Sequence, residues 1–476
     1  MAAKVLANGV VLTFDESTQS IAVLPKASVL IIQDRIAAIS ENLDPAQIPS
    51  GAEIIDVEGR IVSPGFINTH VHSWQSIYRT LGPNIVLANY FDWLSQVSTK
   101  VNDSFTAEDV YISSLQAYRE GLNSGVTTYV EHAHNNWGPE FVNPGYRGAA
   151  DSGARVWWCY DVYPRSNFSS DEQWSILKDI ATNSVPLVPM GLSLDGVSGA
   201  FFTGDEFERA KQSIDDLKLE VFTLHHMGGP WPTGGKTSPT AVCTEKMHET
   251  GLPIIFSHAP YLTPEDMSKL REHDMFISIT PESECQFGHG QETGHLISDQ
   301  ASLGIDTNWT FSGDLTTQAR LWLQMTRRNN YKATLDRGLL PNGNPATVEQ
   351  AFLMATRQGG RALRRSDIGV IKVGAKADIV VFNGESPNML GWSDPIAAII
   401  LHSNSGDIEH VIVDGQFRKR NFRLVDGPLN EADVKIRFLE ASRRIQGRLS
   451  VPPPLPEKLW GCAELGDVAT ISTTVT

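Results

Sequence analysis

Over the first 62 residues apolar and polar positions alternate in short runs, at 4–6, 11–14, 28–32, 36–40 and 54–57, with turn residues between them. A period of two in runs this short marks half-buried strands, so this part reads as a small β region. From about residue 61 to 310 the pattern changes. Short β-branched or apolar runs, at 61–67, 126–131, 155–162, 187–192, 220–224, 253–257, 275–279 and 301–305, alternate with longer amphipathic stretches. Thr106 with Asp109 forms a capping-box pattern, after which Tyr111, Leu115, Tyr118 and Leu122 recur at helical spacing. Thr263 with Asp266 repeats the device, with Pro264 suited to the first turn. Strand–helix units repeated eight times over about 250 residues predict a (β/α)8 TIM barrel of parallel strands.

After a helical stretch near 347–364 the chain returns to β character in IGVIKVGAKADIVVFNG and IEHVIVDGQFRKR, punctuated by Gly374 and Gly415. These strands are expected to complete the N-terminal region as one β-sandwich built from both chain ends. The domains so read are 1–62 and 366–427 for the sandwich, 63–365 for the barrel and 428–476 for a C-terminal helix and tail. In that helix Val434, Phe438, Ala441 and Ile445 share one face, and Pro452, Pro453 and Pro454 end its run. The face suits either the chain's own barrel or a second copy.

Composition narrows the class. Hydrophobic residues make up 41% and charged residues 20%, with no long apolar run, so a membrane span is not expected. With 39 Lys plus Arg against 55 Asp plus Glu the formal charge is -16, which argues against nucleic acid as a partner. The N-terminal stretch lacks the apolar core of a secretory signal, and the expected setting is cytoplasmic. Cys159, Cys243, Cys285 and Cys462 are scattered without C-x-x-C spacing, so neither a disulfide framework nor a thiolate metal site is suggested.

The candidate chemistry lies in the histidines. In PGFINTHVH a β run delivers His70 and His72, which on a strand point to the same face and can bind one ion together. His132 and His134 follow the second predicted strand, His225 and His226 the fifth, His258 the sixth and Asp306 the eighth. Barrel enzymes carry their catalytic groups at these carboxyl ends. Seven imidazoles and a carboxylate at one barrel mouth are poorly explained as packed core. Neutral imidazoles and a carboxylate suit one divalent ion, zinc or iron(II), with a position left open for water. Such an ion lowers the pKa of a water from 15.7 toward about 7. Asp306 could accept that proton on its free oxygen while His258 polarises an electrophile or protonates a leaving group.

PGFINTHVH, VFTLHH, FSHAPYLTPED and SLGIDTNW, in this order, resemble the metal-binding signatures of the amidohydrolase superfamily, and IGVIKVGAKADIVVF with a later VDG resembles its closing β segment. The similarity spans about residues 1–425 and is strongest to the branch of cytosine deaminase-like, methylthioadenosine deaminase-like and triazine hydrolase-like enzymes. It implies His70, His72, His225 and Asp306 as ligands of one metal, with His258 near the activated water or substrate. His226 competes with His225, which is preferred because it directly ends the apolar run 221–224. The fourth strand, VPLVPMGLSL, lacks the lysine that bridges two ions in binuclear members, so a mononuclear site is expected.

One position departs from the family pattern. The deaminase members carry a glutamate three residues after the fifth-strand histidine, where this chain has Gly228. Glu282 and Glu284 in ITPESE are candidates to replace it, and His132 and His134 to bind substrate or relay protons. Trp74, Gln75 and Trp309 adjoin the expected ligands and are candidates for a pocket that takes a flat or aromatic small molecule. The expected activity is hydrolysis of a carbon–nitrogen bond (amide, imine or amine) in a small cyclic or aromatic compound. The alternative on the same scaffold is a metal-dependent lyase, decarboxylase or dehalogenase. A homodimer is the expected assembly.

Overall fold

A computed structural model describes residues 3–94, 105–163, 165–195, 204–233, 240–449 and 452–471. The last residues of the tail, 472–476, lie outside it. Five strands open the chain: β1 (Ala3–Asp15), β2 (Ser20–Ile32), β3 (Arg35–Ser40), β4 (Glu53–Asp56) and β5 (Arg60–Pro64). Eight more form the barrel: β6 (Phe66–Val71), β7 (Val126–Ala133), β8 (Arg155–Asp161), β9 (Met190–Ser193), β10 (Phe222–His226), β11 (Ile254–His258), β12 (Phe276–Ile279) and β13 (Ala301–Leu303). The chain then adds β14 (Ile379–Asn383), β15 (Ile408–Val413), β16 (Gln416–Arg420) and β17 (Arg423–Leu424).

The eight barrel strands pair in sequential order, β6 through β13, and every pairing is parallel. The two chain ends meet in one mixed sheet of nine strands, in which β14 lies antiparallel to β5. The expected run 61–67 is thus two strands. β5 belongs to the nine-stranded sheet, and after Gly65 β6 starts the barrel. A Cβ on Gly65 would collide with the Thr127 side chain, so a glycine is needed where the chain passes from one sheet to the other. The fifth barrel strand begins two residues later than its apolar run suggests and carries both His225 and His226 within it.

The capping boxes at Thr106/Asp109 and Thr263/Asp266 are formed and start helices Ala107–Asn123 and Pro264–Glu272. Helix Glu431–Arg448 buries Val434, Ala441 and Ile445. It packs on its own barrel, against helix Ala107–Asn123 and the turn Ser73–Tyr78, where Gln446 Nε2 donates to Ile77 O at 2.8 Å. No helix among the described residues is long and apolar enough to cross a membrane.

The barrel is tied to the nine-stranded sheet by a buried ion pair. Arg155 at the start of β8 donates through Nε to Asp378 Oδ2 at 2.9 Å and through Nη2 to Asp414 Oδ1 at 2.8 Å. Both flank β14 and β15, and Asp378 is 3% exposed. Removing one partner leaves uncompensated buried charge, so Arg155→Ala should cost about 3–5 kcal/mol and shift the urea midpoint accordingly. An unchanged midpoint would mean that the pair does not hold the two sheets together.

Candidate metal centre

The barrel closes where β13 returns to β6, and the closing hydrogen bonds build the centre. His72 N donates to Asp306 O at 2.7 Å, while Ile305 N and Asp306 N both donate to His70 O, at 3.1 and 2.9 Å. Gly304 has no room for a side chain, since a Cβ would stand 2.9 Å from His70 Cβ. The same hydrogen bonds therefore set the relative position of His70, His72 and Asp306. Asp306 and His258 both adopt left-handed backbone, each with φ of 69°, a strained conformation that clusters at functional sites.

The imidazoles are fixed through the ring nitrogen that faces away from the centre. His72 Nδ1 donates to His132 O at 2.8 Å, and His225 Nδ1 lies 2.6 Å from Asp195 Oδ1. Each contact requires the proton on Nδ1, so in the neutral ring Nε2 is a bare lone pair. These two Nε2 atoms stand 3.2 Å apart, a donor–acceptor pair while His225 is the cation and two facing acceptors once both rings are neutral. His70 Nδ1 contacts Ser257 Oγ at 2.8 Å, and its Nε2 is buried without a hydrogen-bond partner. His70 Nε2 and His72 Nε2 are each 3.5 Å from Asp306 Oδ1. Two nitrogens bound to one tetrahedral zinc at about 2.0–2.1 Å would be separated by about 3.3 Å, which the His72–His225 pair matches, and the donors of His70, His72 and Asp306 lie within 4.8 Å of one another.

The electrostatics agree with that donor set. Burial, and then their histidine neighbours, push His72 well below its ordinary value; burial likewise keeps His70 neutral. Burial pushes Asp306 up, but His70, the charge of His258 and the Ser283 hydroxyl at 2.6 Å outweigh it and hold the carboxyl below its usual range. Burial also works against the His225 cation, yet the Asp195 carboxylate raises its pKa on balance. His258 is pushed down to about 4 by burial, and its Nδ1 sits 2.9 Å from Thr280 Oγ1.

Several expected site residues lie elsewhere or are already engaged. His226 faces the other side of β10 from His225, packing against Phe256 and near Asp266, because successive strand residues alternate faces. Glu282 is not in the site. The helix Pro281–Phe287 starts one residue before it, and its carboxylate receives Gln318 Nε2 at 2.6 Å. Glu284, about 200° further round that helix, is fully buried and reaches toward His258, with Oε1 3.7 Å from His258 Nδ1. Burial pushes its carboxyl up to about 7. The Trp74 indole donates to His134 Nδ1 at 3.1 Å, the Gln75 amide to Tyr90 OH at 3.0 Å and the Trp309 indole to Leu81 O at 2.7 Å. Their polar groups thus shape the loops over the mouth. His132 lies in the cluster, its ring 4.3 Å from that of His225.

The sequence reading missed Asp161, Asp195, Thr280 and Ser283. The first two sit at the carboxyl ends of β8 and β9, so the strand-end criterion that singled out the histidines also reaches them.

The sequence and the fold are similar to those of known proteins. The amidohydrolase family model matches residues 233–418. A 5-methylthioadenosine/S-adenosylhomocysteine deaminase of Thermococcus sibiricus is 25% identical over 412 residues, covering 82% of this chain and 89% of its own. An adenosine deaminase from Xanthomonas campestris solved with bound zinc superposes with a TM-score of 0.78 at 18% identity, over 94% of this chain and 99% of that one. An atrazine chlorohydrolase from Arthrobacter aurescens complexed with zinc gives 0.76 at 19% identity, over 92% and 100%. The chain is thus similar to the amidohydrolase family, with the family match itself lying over residues 233–418.

The turn that follows His72 is held by Glu131, which accepts from Ser73 N at 2.9 Å and Ser73 Oγ at 2.8 Å. Burial pushes this carboxyl up to about 8 from its ordinary 4.5. A folded-state pKa above the unfolded one gives stability that is complete below the unfolded value and is lost as pH rises through the folded value. Above about pH 6.5, where the buried neutral histidines no longer add stability with rising pH, the melting temperature of metal-stripped protein should therefore fall toward about pH 8, and Glu131→Gln should flatten that fall. An equally steep fall in the variant would contradict the assignment.

Proposed function

We propose that the protein is a metal-dependent hydrolase that cleaves a carbon–nitrogen bond in a small cyclic or aromatic compound, with His70, His72, His225 and Asp306 as the ligands of one divalent ion. The observation that carries this reading is the convergence of His72 Nε2 and His225 Nε2, 3.2 Å apart with both Nδ1 atoms already committed, which face each other as bare lone pairs when both rings are neutral. A cation between them removes the repulsion. Three imidazoles and one carboxylate suit zinc, with iron(II) second, and the zinc in two structural neighbours favours zinc. The deaminase relative supports attack at a ring carbon bearing nitrogen. The lyase and decarboxylase alternatives find no support in the deaminase relative.

When bound, the ion supplies a water whose pKa lies near about 7, and hence a nucleophile at neutral pH. Asp306 would accept that water's proton on Oδ2. The Ser283 hydroxyl, 2.6 Å away, donates to that oxygen while it is charged and accepts from it once it is protonated. His258, kept neutral by burial, presents Nε2 to the electrophile while Thr280 fixes Nδ1. Gly228 offers no shuttle, and a Cβ there would stand 2.9 Å from the His226 ring. Its task passes to the line from His258 Nδ1 to Thr280 Oγ1 at 2.9 Å and on to Glu284 Oε1 at 3.4 Å, along which a proton reaches the leaving nitrogen.

His134, His132, Trp74, Gln75 and Trp309 form the surroundings of the substrate in this reading. The setting is cytoplasmic, in keeping with the free thiols of Cys159, Cys285 and Cys462. The homodimer rests on the resemblance, and light scattering in solution checks it.

The ligand set is tested by metal analysis of purified protein. His70→Ala and Asp306→Ala should each lose the tightly bound ion while keeping a native circular dichroism spectrum, and retention in both variants refutes the assignment. For the relay, Glu284→Gln should lower kcat by about 10²–10³ with KM and metal content unchanged, whereas Glu282→Gln leaves kcat alone. Equal effects of the two substitutions would refute the relay.

A further inference from the structure

The donors at the barrel mouth are not exhausted by those four ligands. His132 on β7, Asp161 at the end of β8 and Asp195 just past β9 place one donor atom each within 4.8 Å of one another. His132 is completely buried, and neither of its ring nitrogens has a hydrogen-bond partner, although Nε2 is 3.3 Å from Asp195 Oδ1. An imidazole in that state is aimed at something other than protein. Asp161 is 2% exposed, and each of its oxygens accepts a single hydrogen bond, Oδ1 from Asp195 N at 2.9 Å and Oδ2 from Asn136 Nδ2 at 3.0 Å. Each oxygen retains a lone pair.

The charge balance points the same way. Arg165 is the neighbouring cation and attracts Asp161 at a distance, but its hydrogen bonds go to Asn136, with Nε donating to Asn136 O at 3.0 Å and Nη2 to Asn136 Oδ1 at 2.8 Å. Asp195 Oδ1 holds His225 Nδ1 at 2.6 Å, and a His225 whose Nε2 binds the first ion stays neutral. The buried Asp161 then stands beside the partly exposed Asp195, and burial together with the Asp195 charge pushes the Asp161 carboxyl well up, a repulsion that a cation between the two would relieve.

We propose that His132, Asp161 and Asp195 form a second divalent-cation site, adjoining the four-ligand centre, whose His70 and His225 donors lie within 4.8 Å of that of His132, and built without a bridging lysine. One imidazole and two carboxylates suit zinc or manganese(II), and three protein ligands, fewer than in the first site, make it the weaker of the two. Asp195 links the sites, because the carboxylate that binds the second ion also orients His225. The geometry is independent of the proposed function, while the charge argument rests on that reading of His225.

The test is equilibrium dialysis of purified, zinc-loaded protein against graded zinc, with metal counted per chain. The wild type should rise from one ion to two. Asp161→Asn and His132→Phe should stay at one, and His70→Ala should lose the first ion and keep the second. A wild type that never exceeds one ion overturns the proposal and leaves the carboxylate pair to a cationic group of the substrate. So does a second ion retained by both variants. The wild-type count decides even if a variant fails to fold, and failure of the four-ligand reading shows separately, as a His70→Ala protein that keeps its first ion.

Discussion

The return of β13 to β6 is the constraint on which the rest of the molecule depends. A parallel sheet of eight strands has two unpaired edges until it closes. Here the closing bonds run between the residues that carry the chemistry, from His72 N to Asp306 O and from Asp306 N to His70 O. Closure and donor placement are one event. Gly304 follows from it, because any side chain there would strike His70 and hold the edges apart. So does the left-handed backbone of Asp306, which lets the chain leave the strand while its carboxylate stays directed at both histidines.

Around that seam the protein arranges neutral donors. Burial suppresses protonation of His70 and His72, and carbonyl or carboxylate partners decide which nitrogen of His72 and His225 carries the proton. The cost of packing so many polar groups into a dry barrel mouth is offset only if bare lone pairs meet a cation. The same logic extends to His132, Asp161 and Asp195, where an orphaned imidazole lies beside two carboxylates. Glu284 is a different solution. Its raised pKa keeps a proton available beside His258 at neutral pH, which a solvent-exposed glutamate cannot do.

Much of this was legible in the sequence, for physical reasons. The period of two placed His70 and His72 on one face, and it also separates His225 from His226. The capping boxes at Thr106 and Thr263 start helices where expected. The parts that were hidden depend on tertiary contact. The run 61–67 is marked at Ser63, Pro64 and Gly65, but the apolar residues on either side of that break do not tell that they belong to two different sheets. Glu282 and Glu284 are indistinguishable until the helix phase starting at Pro281 turns one toward Gln318 and the other toward His258. Asp161 and Asp195 resemble solvated turn residues, and only the neighbouring strands reveal His225 and His132 beside Asp195.

The central claim is that three imidazoles and the Asp306 carboxylate converge on one ion at the seam of the barrel. Anomalous diffraction at the zinc edge from crystals of the zinc-loaded protein tests it most directly. The account predicts a strong peak about 2.0–2.2 Å from His70 Nε2, His72 Nε2, His225 Nε2 and an Asp306 oxygen. A fully loaded crystal with no peak between these four atoms, or with zinc bound only by other side chains, would contradict it.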